Sequence, residues 1–408
     1  MREVFIISTG EILKGKTAGS RRMLNIARSL AAGKITVYLC SFNEFRGEPA
    51  NMREVHPGIY TFEPVNNAVI RGGTLMQFIQ SVHHYAARGE AEKVIYLYPT
   101  TFVLKDFIYL LYFKFIKRYK LFCEINELRS AIAFSSPPPS QLGPKVKYYL
   151  KSVKDYIIFS LNEYQVILYD GVVVISTSLE KYFSRYTKKI IRVPILCDAE
   201  GIVLTNEPPA FNEETFKICF AGYIKYDKEG FALLYEALSM VSVMQKVELY
   251  LYGILDEEDN VRLRHLAEKY ELTEKIFYMG NIEPEKLRHE FIKYHLLILP
   301  RPLNKRTKYG FSTKLSEYLV SGVPVLLTDV SDNALFIKDN YNGYLIPPGS
   351  ATALAEKLIY IIRHYNDQAK NIVDNAYKTV REDLDLRLFT DKFADFFYDD
   401  RGKLNRSA

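Results

Sequence analysis

Lysine and glycine residues in the second half of the chain have the types and spacing of an anion-binding site. The segment FAGYIKYDKEGF supplies Gly222, Lys225 and Lys228, MGNIEPEKL follows it, and PRPLNKRTKYGFS leads into a short helix that carries Lys314. Glycine lets the backbone approach a ligand closely, a helix start offers N–H donors to an anion, and lysine adds a mobile positive charge. Together these segments predict a diphosphate site.

The stretch KYGFSTKLSEYLVSGVPVLLTD, residues 308–329, reads as a loop, a short helix and a buried strand. Ser312 is placed to cap the helix, and Leu315 and Leu319 lie four apart on its buried face. Lys314 and Glu317 lie three apart and share another face. They are either a solvated ion pair or a pair that binds a ligand.

Twelve short apolar runs alternate with amphipathic stretches. The runs are VFIIS, ITVYLC, VIYLY, KLFCEI, GVVVIS, IRVPIL, FKICFAG, VELYLYG, IFYMG, LLILP, VPVLL and GYLIP. This alternation predicts an α/β protein with two doubly wound, Rossmann-like domains that face each other across a cleft. Ligands of such sheets bind at the carboxyl ends of the strands, which is where the lysine and glycine segments occur.

The segment NEPPAFNEET, residues 206–215, interrupts the alternation with prolines and polar residues. It predicts one domain over residues 1–205, a second over 206–380, and a helical tail over 381–408. Residues 1–198 hold 27 Lys and Arg against 16 Asp and Glu, whereas the remainder holds 27 against 32. This asymmetry indicates that the first domain faces something anionic.

Length and composition indicate a globular protein. The 408 residues, 48 % of them hydrophobic, are enough for two domains. The first apolar run is too short for a signal-peptide core, and the most membrane-like stretch, FIYLLYF, is interrupted by Lys114. The four cysteines lack paired spacing and are expected to be small buried residues in a reducing compartment. We therefore expect a cytoplasmic protein.

Residues 216–362 resemble the donor half of the family 4 glycosyltransferases, which have the GT-B fold. The similarity rests on FAGYIKYDKEGFALLYEAL, YMGNIEPEKL, LLILPRPLNKRTKYGFSTKLSEYLVSGVPVLLTD and NGYLIPPGSATALAEKL, in that order. The first half resembles the family more loosely, through CEINE and YDGVVVISTSLEKYF. The resemblance implies transfer of a sugar from a nucleotide diphosphate sugar with retained anomeric configuration. It also implies an acceptor-side first domain, a donor-binding second domain and a C-terminal helix that crosses back to the first.

The resemblance assigns roles around the short helix. In the family a glutamate at the position of Glu317 binds the ribose hydroxyls, and Lys314 would lie one turn nearer the phosphates. Eight positions before Glu317 the family has a second glutamate that contacts the transferred sugar, and this chain has Tyr309 instead. That departure leaves three backbone N–H groups as the expected sugar contacts, those of Gly310, Phe311 and Ser312.

The same resemblance assigns Lys228 to the donor diphosphate. Where the family has an arginine after the first glycine, Tyr223 follows Gly222. Lys225 either substitutes for that arginine or is a solvated surface lysine. Gly280 and Ile282 occupy the positions that hold the nucleotide base by backbone contacts in the family.

The first domain supplies weaker candidates. Gly19, between the first strand and helix, matches a glycine that lets the loop approach the diphosphate, but an ordinary turn glycine is the alternative. Arg21 or Arg22 could add charge. At the end of the strand LFCEINE, Glu127 either positions or deprotonates the acceptor hydroxyl or caps the next segment, and Glu124 lies beside it.

The sequence therefore favours a retaining, metal-independent glycosyltransferase without a cofactor, which moves a sugar from a nucleotide sugar to a glycan or lipid-linked acceptor in bacterial surface polysaccharide or glycolipid synthesis. A catalytically silent nucleotide-sugar-binding regulator or scaffold is the alternative, and a sugar-nucleotide epimerase a more distant one. No acid pair is placed to hold a metal, because DLD at 383–385 falls in a charged helical tail. Nucleic-acid binding has only the overall positive charge in its favour.

The segment FIYLLYFKFIKRYK predicts a contact with the inner face of an anionic membrane. Lys114, Lys117 and Arg118 are spaced to share one face of a helix beside many aromatic residues. The alternative is a helix that packs on the sheet with a solvated basic face.

Overall fold

The chain forms two compact units, seen in a computed structural model that describes residues 2–13, 17–45, 51–62, 74–98, 103–134, 138, 141–200, 207–212 and 214–398. The first unit contains Met1–Asp198 and Asp385–Ala408, and the second contains Ala199–Leu384. The domain boundary predicted at residues 205 and 206 lies outside the described residues, as do residues 399–408 of the predicted tail.

Eight strands form the sheet of the first unit: β1 (Arg2–Ser8), β2 (Thr36–Ser41), β3 (Met52–His56), β4 (Ile59–Phe62), β5 (Glu92–Tyr98), β6 (Lys120–Ile125), β7 (Gly171–Val174) and β8 (Ile190–Arg192). Their order is β3-β4-β2-β1-β5-β6-β7-β8, and only the β3–β4 pair is antiparallel. All six predicted strands are present. The additional β3–β4 hairpin escaped prediction because β3 is polar and partly exposed, and so lacks an apolar run.

Among the described residues before position 199, the α-helices that accompany this sheet are α1 (Ala18–Ala32), α2 (Leu75–Ala86), α3 (Val103–Tyr109), α4 (Arg129–Ile132), α5 (Leu142–Tyr164) and α6 (Thr177–Phe183). Thr17 caps α1, and Thr74 forms a capping box with Gln77 at the start of α2. Met23, Ile26 and Leu30 recur at helical spacing on α1 and are buried against the sheet.

The basic face predicted for FIYLLYFKFIKRYK does not form. The helix widens into a π-type segment over Leu110–Ile116 and ends there. Lys114 pairs with Asp170, and Arg118 has a positive φ of 59°. The three basic residues therefore do not line one helical face, because the helix ends before Lys117 and Arg118.

Six parallel strands form the sheet of the second unit: β9 (Thr215–Ala221), β10 (Lys246–Tyr252), β11 (Ile276–Gly280), β12 (Leu296–Leu299), β13 (Val325–Thr328) and β14 (Tyr344–Ile346). Their order is β11-β10-β9-β12-β13-β14. The helices are α7 (Tyr226–Glu229), α8 (Phe231–Val241), α9 (Glu257–Lys269), α10 (Pro284–Phe291), α11 (Lys305–Tyr309), α12 (Lys314–Leu319), α13 (Asn333–Phe336) and α14 (Ala351–Thr379). The predicted α/β class with mainly parallel sheets is confirmed.

The last helix in the described part of the chain, α15 (Thr390–Tyr398), belongs to the core of the first unit. The Phe397 ring packs 4.9 Å from that of Phe122 on β6. Tyr398 donates a hydrogen bond of 2.9 Å to the Glu3 carbonyl on β1. Aromatic side chains of α15 thus cover one face of the first sheet.

Within the described part of the chain, no helix has both the length and the apolar character needed to cross a bilayer.

We expect Phe397→Ala to lower the free energy of unfolding of the first unit by about 3–5 kcal/mol, because it leaves a cavity where a fully buried ring now packs. Leu388→Ala is the matched control, since Leu388 is exposed, and it should change stability by less than about 0.5 kcal/mol. Denaturant unfolding followed by circular dichroism measures both, and equal effects would contradict the placement of α15 in the core.

Candidate functional site

The second sheet has a topological switch point between β9 and β12. After β9 the chain adds β10 and β11 on one side, then returns to place β12 on the other. The loops after β9 and β12 therefore run in opposite directions and leave a crevice at the carboxyl edge, the usual ligand position in such sheets. Gly222 follows β9, and Arg301 and Lys314 follow β12. The residues predicted to bind a diphosphate converge on this crevice.

A buried cluster of three charges lies at this edge. Glu229 is 1 % exposed and accepts two hydrogen bonds from Arg301, of 2.9 and 3.0 Å. Lys314 Nζ lies 3.3 Å from Oε1 of the same carboxylate, an oxygen that also accepts one of the Arg301 hydrogen bonds. Burial alone would raise the pKa of Glu229, but Arg301 and Lys314 lower it to about 2. Glu229 is therefore ionised at neutral pH, and its carboxylate contacts both the Arg301 guanidinium and the Lys314 amine.

Gly222 allows Lys314 to occupy this position. Its φ of +134° lies in the region that favours glycine, and a Cβ atom there would come within 2.2 Å of Lys314 Cε. The lysine passes beneath the loop after β9, with Nζ 3.9 Å from the centre of the Phe220 ring. Any side chain at position 222 would displace the lysine.

The amine of Lys314 is poised to change its charge. Burial, together with Arg301 and Lys228, lowers its pKa to about 7, although Glu229 opposes the shift. The described residues give Nζ no polar partner beyond the 3.3 Å ion pair with Glu229, and they give the buried Ser312 Oγ no hydrogen-bond partner. An anionic ligand would supply acceptors for both atoms and restore the charge of the amine.

Lys225 and Lys228 differ in how closely carboxylates surround their ammonium groups, and therefore in how much positive charge they can offer to an anionic ligand. Lys225 pairs with Asp256 and lies 3.1 Å from Asp259, so two carboxylates offset its charge. Its charge is therefore not available as a simple substitute for the missing arginine. The Lys228 side chain is 34 % exposed, with Nζ 4.0 Å from Glu229. Its position as a diphosphate ligand remains a prediction.

Three details around α12 correct the sequence-based expectations. Lys314 pairs with Glu229 rather than with Glu317, which is half-buried one turn further along the helix. Ser312 does not cap the helix, because α12 begins after Thr313 and has no side-chain cap. The loop before it contains the helix α11, whose start is stabilised by a capping box between Asn304 and Thr307.

The expected sugar contacts are affected by α11. The N–H of Gly310 donates to the Arg306 carbonyl at 3.1 Å, which removes one of the three predicted donors. The N–H groups of Phe311 and Ser312 make no hydrogen bond to another described residue. Tyr309, the residue in place of the family's glutamate, ends α11 and is half-buried. Phe311 and Ser312 remain predicted contacts.

Gly280 is the last residue of β11 and Ile282 follows the strand, at the same edge of the sheet. Gly280 has a φ of +80°, and its carbonyl accepts a bond of 2.9 Å from the Gly253 N–H. Ile282 is half-buried. Their assignment to the nucleotide base stays a prediction.

The first unit has a pocket of about 350 Å³ at its own switch point, between β1 and β5. Gly19 and Glu127 both line it. Gly19 lies in the first turn of α1 rather than in a loop, against the Tyr98 hydroxyl. Glu127 lies 3.7 Å from Arg129. Five further residues with carboxylate or amide side chains line the pocket: Asp106, Glu124, Asn126, Asn162 and Glu163.

Arg22 and Glu124 have a structural role. Arg22 is buried and donates to Glu124 at 2.7 Å and to the carbonyls of Pro194 and Val193 at 2.6 and 2.9 Å. Glu124 also accepts a hydrogen bond from Tyr96. These contacts satisfy the Arg22 guanidinium, so it does not serve a phosphate.

Sequence reasoning missed Glu229 and Arg301. Both stood in the quoted motifs, Glu229 directly before Gly230 and Arg301 directly after the strand LLILP. Arg301 could have been singled out because a charged residue that directly follows a buried strand lies at the ligand-binding edge of the sheet. The pairing of Arg301 with Glu229 could not be predicted from the sequence, because the two residues are 72 positions apart.

Comparison with known proteins supports this description. Residues 205–379 match the sequence model of the family described as Glycosyl transferases group 1. Sucrose-phosphate synthase of Thermosynechococcus elongatus aligns with a TM-score of 0.67 and 16 % identity over 100 % of both chains. HepE of Anabaena, in complex with UDP, aligns with a TM-score of 0.63 and 15 % identity over 97 % of this chain and 99 % of HepE.

The protein has the GT-B fold. One curated relative is the GtfA subunit of the UDP-N-acetylglucosamine–peptide N-acetylglucosaminyltransferase of Streptococcus pneumoniae serotype 4. It is 25 % identical over 209 residues, which is 48 % of this chain and 39 % of that protein. This GT-B chain therefore matches less than half of the length of that relative.

UDP, the ligand in the HepE complex, serves as a probe of the crevice, and its binding at pH 8 should be accompanied by proton uptake at Lys314. With a pKa of about 7 the amine is about nine-tenths neutral at pH 8, and a neighbouring diphosphate favours the ammonium form. Calorimetric titrations in Tris and in HEPES, which differ in ionisation enthalpy, measure the protons taken up. The wild type should take up about one proton per UDP, and Lys314→Met close to none.

Lys246→Met is the matched control, because it removes an exposed lysine at the start of β10, at the opposite edge of the sheet, and leaves Lys314 and Lys228 in place. It should retain the proton uptake. Equal uptake in the wild type and in Lys314→Met would show that another group accepts the proton.

Proposed function

We propose that this GT-B protein is a retaining glycosyltransferase of the family 4 type, which transfers a sugar from a nucleotide diphosphate sugar to a glycan or lipid-linked acceptor. The observation that carries the proposal is the buried Glu229–Arg301–Lys314 cluster at the switch point of the second sheet. It lies within residues 205–379, the part that matches the glycosyl transferases group 1. Because HepE was solved in complex with UDP, we propose UDP as the nucleotide part of the donor.

The chemistry needs positive charge at the leaving diphosphate. As the glycosidic bond breaks, negative charge builds on the phosphate and the sugar becomes oxocarbenium-like. A cation held in place beforehand stabilises this transition state more than the ground state. Lys228 and Lys314 supply this charge, and Glu229, which is itself paired with Arg301, holds Lys314 in position. Glu317 accepts hydrogen bonds from the ribose hydroxyls.

The first-unit pocket is the proposed acceptor site. Carboxylate and amide oxygens from several elements line it, and such groups bind polyhydroxylated molecules through hydrogen bonds. Glu127, at 41 % side-chain exposure, is the residue we propose to position or deprotonate the acceptor hydroxyl.

We further propose that the protein works in the cytoplasm, at the inner face of a membrane, in the synthesis of a bacterial surface polysaccharide or glycolipid. The four cysteines are free, and three of them are buried, which suits a reducing compartment.

We expect Lys228→Ala and Glu317→Gln to have different kinetic effects. Loss of Lys228 removes stabilisation of the developing charge and should lower kcat by about 10²-fold. Glu317 holds ribose in the ground state and the transition state alike, so Glu317→Gln should mainly raise the KM for the donor. Steady-state kinetics of the purified variants with a common UDP-sugar donor measure both effects.

Lys246→Ala is the control for these variants. Lys246 is exposed and begins β10, so it lies at the opposite edge of the sheet from the site. Its kinetics should equal those of the wild type. Wild-type turnover in Lys228→Ala would disprove its role, and UDP-sugar binding without transfer or hydrolysis in the wild type would favour a nucleotide-sugar-binding regulator.

We expect transfer to persist in EDTA. Lysine and backbone N–H groups can neutralise the diphosphate, and the described residues contain no group of three or more metal-binding side chains placed to hold an ion. Activity assays with EDTA, and with Mg²⁺ or Mn²⁺ added back, measure this directly. Complete loss of activity that either ion restores would contradict a metal-independent mechanism.

A further inference from the structure

Helix α5 of the first unit exposes an apolar stripe along its whole length. Of its 23 residues only Ser152 is buried. The exposed apolar side chains recur at spacings of three and four, so they share one face of the helix. They are Leu142, Val146, Tyr149, Leu150, Val153, Tyr156, Ile157, Leu161 and Tyr164, each at least 44 % exposed.

The opposite side of α5 attaches the helix to its unit. Glu163 accepts hydrogen bonds from the Ser130 N–H at 2.8 Å and from the Ser130 hydroxyl at 2.7 Å. Phe159, Asn162 and Glu163 line the first-unit pocket. The helix is thus held by one face, and its apolar stripe is left exposed. A contiguous apolar surface of this length marks an interaction site rather than ordinary surface variation.

Lysine residues border the stripe. At 100° per residue, Lys147, Lys151 and Lys154 lie along one edge and Lys145 along the other, and all four are exposed. The two carboxylates of α5, Asp155 and Glu163, are only half-exposed. An apolar face bordered by lysines is the pattern of a helix that lies in a lipid interface, with the ammonium groups among anionic headgroups.

We propose that the exposed stripe of α5 is a docking surface for an anionic lipid bilayer, with the helix lying parallel to the membrane plane. A second copy of the chain fits this surface less well. When two copies of one helix pair about a two-fold axis, the lysine-bearing edges of the two helices come close to each other. Like charges would then meet without carboxylates between them, whereas anionic headgroups would neutralise both edges.

Docking through α5 would also narrow the class of acceptor, a consequence that rests on the proposed function. The inner face of the same helix lines the proposed acceptor pocket. A bilayer held against the outer face would bring headgroups close to that pocket. The acceptor would then be a lipid with a polyhydroxylated headgroup rather than a free glycan.

The absence of tryptophan from the chain gives a direct test. Leu150→Trp places one reporter on the stripe, and Val243→Trp places one at an 86 % exposed apolar position in the second unit. At low salt, vesicles of equal parts phosphatidylglycerol and phosphatidylcholine should shift the emission of the first reporter to shorter wavelength and leave the second unchanged. High salt, or phosphatidylcholine alone, should weaken the shift. Equal responses of the two reporters, or none, would overturn the proposal.

A loss-of-binding test complements the reporter. Leu150→Ser with Ile157→Ser should lower partitioning into the same vesicles by at least about tenfold, because two apolar side chains are lost from the contact. The matched control, Val243→Ser with Met244→Ser, removes two exposed apolar side chains of the second unit and should bind as the wild type. Equal partitioning of both double variants would contradict a role for the stripe.

Two further measurements distinguish lipid docking from self-association and from the proposed enzymatic activity. Light scattering without lipid should show that the wild type is a monomer. If the wild type is instead a dimer, the stripe variant is a monomer and neither binds vesicles, the stripe is an interface with a second copy of the chain. Hydrolysis of a UDP-sugar in lipid-free buffer should be equal in the stripe variant and the wild type. Normal hydrolysis of the UDP-sugar with no vesicle binding would reject the lipid-docking proposal and leave the proposed glycosyltransferase activity standing. Vesicle binding without sugar transfer or hydrolysis would reject the proposed activity and leave the docking proposal standing.

Discussion

The ion pairs of Glu229 with Arg301 and Lys314 are the interaction on which the second-unit site depends. The carboxylate comes from the turn before α8, and the cations follow β12, so the pairs join two loops at the switch point of the sheet. Removing one partner of such a buried cluster leaves an uncompensated charge in a poorly solvated place. The cluster therefore fixes the loop after β9 against the loop after β12, and it positions Arg301 and Lys314 at the crevice.

Two glycines make this cluster sterically possible. Gly222 leaves room for the aliphatic part of Lys314, and Gly230, with a φ of +80°, lets the chain turn directly after Glu229. A Cβ at Gly230 would lie 1.9 Å from the Pro300 carbonyl oxygen, immediately before Arg301. The glycine-rich character of the β9–α8 segment thus serves packing against the β12 loop as well as access for a ligand.

The first unit combines a buried ion pair with a helix that exposes apolar side chains. Arg22 and Glu124 are paired within the fold, beside the pocket. Helix α5 has the reverse arrangement, because polar and aromatic groups on its inner side line the pocket while apolar groups face outward. One helix therefore separates a polar pocket from an exposed apolar surface, within the unit that contains the positively charged residues 1–198.

The order of apolar runs and loops by itself determined the α/β class, all twelve predicted strands and the loops at the carboxyl edge of the second sheet, because these properties depend on residues close together in the chain. Only the tertiary structure decided that Lys314 is the buried cation and that Lys225 is offset by Asp256 and Asp259, since those partners are distant in sequence. It also decided which amphipathic segment faces outward. Lys114 forms an ion pair with Asp170, whereas α5 exposes its apolar side chains. Hydrophobic periodicity could not distinguish these two outcomes, because burial depends on the packing of neighbouring elements.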